Sequence, residues 1–75
     1  MNIYLLRRTN ETYYDQYSGF VVVANNEDEA IKHSVAAYAS CDEWVTAEYI
    51  ACTLVGKADD RYKEVETILC DYNAG

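Results

Sequence analysis

Residues 19–38 read Gly19-Phe20-Val21-Val22-Val23-Ala24-Asn25-Asn26-Glu27-Asp28-Glu29-Ala30-Ile31-Lys32-His33-Ser34-Val35-Ala36-Ala37-Tyr38. The β-branched run at the start favours a strand. The Asn pair ends it and opens a helix. With Asn26 as N-cap, Glu29 stands at the third helical position, where each side chain can bond the other residue's free backbone N–H. Glu27, Asp28 and Glu29 fill the first turn, where the helix dipole favours negative charge. Ile31, Val35 and Tyr38 then recur at helical spacing, flanked by Ala30, Ser34 and Ala37. One apolar stripe is expected to lie on a sheet.

Working outward, residues 2–7 alternate loosely, with Ile3 and Leu5 opposite Tyr4 and Leu6, and read as a strand. Residues 9–17 are polar and Tyr-rich, a hairpin loop with Tyr13, Tyr14 and Tyr17 near its base. In the next strand Phe20, Val22 and Ala24 line one face, and Val21 and Val23 the other. A strand apolar on both faces belongs at the centre of a sheet. Residues 40–43 form a loop that Trp44 anchors onto the core edge. Residues 49–55 make a third strand, with Ile50, Cys52 and Leu54 on one face and Gly56 at its end. The charged residues 57–63 read as a hairpin connection to a fourth strand over 65–72. Its alternation sets Val65, Thr67 and Leu69 against Glu66, Ile68 and Cys70. The expected architecture is α+β, in the order β-β-α-β-β. It is an antiparallel four-stranded sheet with one helix packed on one face, a single domain over 1–75.

Composition narrows the functional classes. Thirteen Asp and Glu against six Lys and Arg give a formal charge of −7. Nucleic acid and anionic membranes repel such a chain, and a basic protein surface attracts it. Arg7 and Arg8 do not offset that balance, so direct nucleic-acid binding is not expected. The apolar run at 20–24 is far too short to span a bilayer, and residues 1–8 lack the order of a signal peptide. Three cysteines, Cys41, Cys52 and Cys70, make an odd count without a close pair. Free thiols in the cytosol are the expectation.

No catalytic signature stands out. His33, the single histidine, has no HxxxH, CxxC or CxxH partner spacing, so no metal or cofactor is expected. A reactive cysteine needs a base or a positive environment, and this chain is strongly negative. Cys52 and Cys70 fall between apolar strand residues, the usual place of an inert thiol. The reading is a non-enzyme. Two sets of residues are candidates for partner binding. Glu27, Asp28 and Glu29 open the helix while Asp42, Glu43 and Glu48 follow it, and such rows can stand in for backbone phosphates. Their plain alternative is solubility and dipole complementation. Tyr13, Tyr14 and Tyr17 are the second set, since tyrosine suits interfaces but also pairs across strands in small sheets.

The segments Tyr4-Leu5-Leu6-Arg7-Arg8, Tyr14-Asp15-Gln16-Tyr17, Val21-Val22-Val23-Ala24 and Glu27-Asp28-Glu29-Ala30 follow one another. Trp44, Val55-Gly56-Lys57-Ala58 and Ile68-Leu69-Cys70-Asp71-Tyr72-Asn73-Ala74-Gly75 complete the series. As an ordered set they resemble a family of small proteins encoded by bacteriophages and prophages. Its pattern runs Tyr-Asp-x-Tyr, Val-Val-x-Ala, an acidic helix start, a later Trp, Gly-x-Ala and Asn-Ala-Gly. Relatives often carry His-Pro in the helix region, whereas here His33 precedes Ser34. No functional residues transfer from that family. The resemblance implies an anti-defence role, in its concrete form an anti-CRISPR protein in the host bacterial cytosol. Such a protein would bind a basic nucleic-acid-binding effector complex through its acidic surface. The alternative is a phage accessory or adaptor protein that binds a protein partner through the tyrosines. Both a monomer and a homodimer fit the sequence.

Overall fold

The computed structural model of the chain describes residues 1–12, 16–38 and 44–73. Its elements are β1 (Asn2–Arg8), β2 (Gln16–Ala24), α1 (Glu27–Tyr38), a 3-10 turn (Ala47–Tyr49), β3 (Ile50–Lys57) and β4 (Glu66–Asn73). The expected β-β-α-β-β antiparallel sheet with one helix is what forms. Strand β2, apolar on both faces, lies inside the sheet between β1 and β4. Arg8 fastens the base of the β1–β2 pair. Its guanidinium donates to the Asn10 side chain at 2.7 Å, to the Gln16 side chain at 3.2 Å and to the Tyr17 carbonyl at 3.1 Å.

The strand order is β3-β1-β2-β4. This corrects the hairpin expected between the last two strands, because β3 pairs with β1 while β4 pairs with β2. Residues 58–65 therefore cross from one edge of the sheet to the other. Three strand spacings amount to about 14 Å, well within reach of that segment when extended. At the start of the crossing the Ala58 N–H donates to the Met1 carbonyl at 3.0 Å. This strand order sets β1 and β2 inside, each flanked on both sides, and the buried strand side chains Tyr4, Leu6, Phe20, Val22, Val23 and Ala24 all lie on that inner pair.

Three irregularities break the simple alternation read from sequence. Gly56 does not end β3; it lies inside the strand opposite Ile3, and the register shifts between Ile3 and Tyr4, so Val55 is an extra residue. Ser18 is extra between Tyr17 and Gly19, and Ile68 is extra between the partners of Val21 and Val22. Such bulges turn the side chains beyond them to the other face. In β4, Cys70 pairs with Phe20 and Thr67 with Val22, on the helix side, whereas Leu69 pairs with Val21 on the opposite side. Leu54 pairs with Tyr4 but stays 60% exposed at the sheet edge, not in the core.

The core lies between the helix and one sheet face. Tyr4, Leu6, Phe20, Val22, Ala24, Ala30, Trp44 and Val45 form it. Among the described side chains of α1 the fully buried ones are Ala30 and Ser34, while Ile31 and Val35 are half-buried. The line of closest approach therefore runs through the small residues that sequence reading placed at the flank. A small side chain lets the helix backbone come close to the sheet, and the larger Ile31 and Val35 fill the wedge beside it.

Candidate binding surfaces

The helix start is built as a cap. The Glu29 N–H donates to the Asn26 side-chain oxygen at 2.9 Å, as the spacing predicts. The return bond differs. The Glu29 carboxylate accepts from Asn25, from its backbone N–H at 2.9 Å and its side-chain amide at 3.0 Å. Asn25 sits just outside the helix and presents two donors, so one carboxylate oxygen is satisfied twice and the strand-to-helix corner is locked. Glu27 and Asp28 are exposed in the same turn, without a hydrogen-bond partner among the described residues. Asn26, Asp28, Glu29 and Lys32 line a shallow, open depression there. Of the three helix-start carboxylates, one serves the cap and two face outward.

Glu48 belongs to the 3-10 turn, where its carboxylate accepts from the Thr46 hydroxyl at 3.2 Å. That turn leads into Ile50, which pairs with Arg8, whereas the helix begins just after Ala24, which pairs with Asn2. Glu48 and Glu27 thus lie at opposite ends of the sheet and do not make one patch. Asp42 and Glu43 lie outside the described residues, as do Tyr13 and Tyr14. Tyr17 is half-buried and packed. Its ring centroid is 4.9 Å from Phe20 and 4.9 Å from Tyr72, so it helps build the core under β4.

The polar centre of the core escaped sequence reading. Trp44 is 4% exposed, its ring edge-on to Phe20 with centroids 4.7 Å apart. Its indole N–H donates to the Ser34 hydroxyl at 3.1 Å, and that hydroxyl donates to the Ile31 carbonyl at 2.9 Å. The available signal was a serine within a helical apolar stripe ten residues before a lone tryptophan, whose indole N–H needs an acceptor when buried.

The thiols divide. Cys52 is half-buried, and its thiol is pushed up to about 11, first by burial and then by the Glu27 carboxylate. Cys70, read as buried, is exposed on edge strand β4 because α1 lies across β2, β1 and β3. Cys41 lies outside the described residues. Among the described residues no group of three or more His, Cys, Asp and Glu side chains could hold a metal ion. No helix among them is long and apolar enough to cross a membrane.

The sheet face away from the helix is the remaining surface. On it, register places Arg7, Gly19 and Asp71 in one cross-strand row, and Leu5, Val21 and Leu69 in the next. These six residues, with Ser18 and Phe20, line a depression of about 90 Å³. A Cβ at Gly19 would lie 2.6 Å from the Leu6 carbonyl oxygen, so a glycine is required there. Leu69 is 65% exposed. No protein-family model, no curated protein and no solved structure matches this chain.

Proposed function

We propose that the protein acts by binding, as a phage-encoded inhibitor of a host antiviral defence complex of the anti-CRISPR kind. In this reading its carboxylates compete with nucleic acid for a basic surface of the effector. The observation that supports it is the division of labour at the helix start. Capping occupies Glu29, which is bonded to Asn25, whereas Glu27 and Asp28 complement the helix dipole without a hydrogen-bond partner among the described residues, so their exposed carboxylates are available to a partner. Exposed carboxylates on a chain of net charge −7 speed encounter with a cationic site and make the affinity salt-dependent.

The experiment is a pull-down of tagged protein from a host lysate, eluted with a salt gradient, for wild type and for Glu27→Gln with Asp28→Asn. Glu29 is kept, so the cap stays intact. Co-elution of a nucleic-acid-binding complex at moderate salt, lost in the double variant, supports competition by charge. An unchanged partner and salt profile in the double variant refute it. A partner held at high salt points instead to an adaptor that binds through apolar contact; Tyr13 and Tyr14 are then its candidates, since Tyr17 is engaged with Phe20 and Tyr72.

A further inference from the structure

We infer that the helix-free face of the sheet is a self-complementary surface that pairs with a second copy of this chain. Three observations carry this, none of them resting on the anti-defence reading. The first is apolarity. Leu5, Val21 and Leu69 form one continuous cross-strand row, two of them half-buried and Leu69 65% exposed, with no helix over them. The second is the charge beside that row. Arg7 on β1 and Asp71 on β4 are both exposed and flank Gly19 in a single row, roughly 10 Å apart across two strand spacings. The Arg7 side chain has no hydrogen-bond or ion-pair partner among the described residues, and the Asp71 carboxylate bonds only its near neighbour across the strands, the Ser18 hydroxyl, at 2.6 Å. The third is that the two rows carry no net charge, on a chain whose formal charge is −7.

The arrangement has a specific symmetry. A two-fold axis parallel to the strands and passing over β2 lays β1 of one copy on β4 of the other. Arg7 then meets the partner copy's Asp71 and Asp71 meets its Arg7, while Leu5 stacks on Leu69 and Val21 on Val21. Such an isologous contact forms the Arg7–Asp71 pair twice, once on each side of the axis, and each charge is paired once. Gly19 and its counterpart leave the notch into which the long Arg7 side chains fold. The contact stops at these two rows, because Val23 in the next one is already fully buried within a single copy. β3 lies outside the overlap. Two cross-strand rows make a patch short of the roughly 800 Å² per partner of a standard interface, so a weak, reversible dimer is expected.

Sedimentation equilibrium from about 1 µM to about 1 mM tests it, with circular dichroism reporting that each variant is folded. Wild type should show a reversible monomer–dimer equilibrium. Leu69→Asp should raise the dissociation constant roughly a hundredfold, because symmetry counts the change twice. Arg7→Asp should weaken the dimer similarly by placing two carboxylates together at each end. Arg7→Asp combined with Asp71→Arg should restore it, since the exchanged charges again meet as opposites. Leu54→Asp, on the uncovered β3 edge, should change nothing. A wild type monomeric at every concentration overturns the proposal. So does a dimer indifferent to both Leu69→Asp and Arg7→Asp, or one that Leu54→Asp dissociates, which would mean pairing through the β3 edge.

Discussion

Replacing Ser34 with Ala tests whether the small polar core organises the helix and the segment after it. Ser34 is fully buried, and its hydroxyl is both acceptor for the Trp44 indole N–H at 3.1 Å and donor to the Ile31 carbonyl at 2.9 Å. Two effects oppose each other. Alanine is the better helix former by about 0.5 kcal/mol, which favours the variant. The buried indole N–H, however, loses its acceptor, and an unsatisfied buried donor costs about 1–3 kcal/mol. The second effect wins, and a net loss of about 1–2 kcal/mol is expected. For a domain of this size that lowers the melting temperature by roughly 4–16 °C. Urea unfolding followed by far-ultraviolet circular dichroism measures it, alongside Trp44→Phe and the double variant. In the Trp44→Phe background no donor is left stranded, so Ser34→Ala should be close to neutral there. The resulting coupling of about 1 kcal/mol or more isolates the hydrogen bond. Equal costs in both backgrounds, or a Ser34→Ala variant more stable than wild type, would refute the assignment.

Gly19→Ala should destabilise the fold by about 1–3 kcal/mol in the same urea assay, because the added Cβ lies 2.6 Å from a backbone oxygen that cannot swing away; an unchanged midpoint would show that β1 and β2 shift freely there. Cys52 should alkylate about a hundredfold more slowly at pH 8 than a thiol at the ordinary value of 9.0, since its own lies near 11 and only the thiolate reacts. Peptide mass spectrometry after timed iodoacetamide treatment reads this site by site. The same shift carries a sign for stability. Between pH 9 and pH 11 the unfolded chain releases the Cys52 proton while the folded chain keeps it, so this group's contribution is full below pH 9 and stability falls as pH rises through that window.

What was legible in the sequence is what neighbouring residues determine among themselves. The β2 strand, the Asn26 cap and the acidic first turn rest on contacts between close neighbours in the chain; the cap and the acidic turn form where the pattern places them, while β2 begins earlier, at Gln16, and takes in Gln16 and Tyr17, read as hairpin loop. Strand order is different in kind. A charged segment of modest length between two strands is compatible with a hairpin and with a crossing, and what separates them is which partners the strands take across the whole sheet, β3 on β1 and β4 on β2. The bulges at Ser18, Val55 and Ile68 were invisible for a related reason. Each is an adjustment of one strand to its partner, and alternation within a single strand holds no record of the partner. The candidate sites follow the same division. Glu27, Asp28 and Glu29 could be placed at a helix start, but only the geometry separates the carboxylate that holds the corner from the two that face outward. Tyr17 could not be told from an interface residue until Phe20 and Tyr72 were seen on either side of it.

The topology also explains how an acidic chain this small can keep an apolar face in water. Exposed carboxylates sit at the helix start, in the 3-10 turn and along the 58–65 crossing, at Glu27, Asp28, Glu48, Asp59, Asp60 and Glu64. Repulsion between copies therefore acts in most relative orientations and opposes unselective association. Face-to-face approach of the two helix-free sheets over the Leu5 and Arg7 rows is the exception, because those two rows are apolar or carry one charge of each sign. Net charge and local neutrality then act together: the first suppresses the many wrong contacts, and the second leaves one orientation in which attraction survives. Rising salt screens the −7 repulsion in every orientation and so strengthens unselective association, whereas at the paired face that gain is offset by weaker Arg7–Asp71 contacts. A specific dimer should therefore gain less from salt than an Arg7→Gln, Asp71→Asn variant does; equal salt responses in the two would point to aggregation of a sticky sheet.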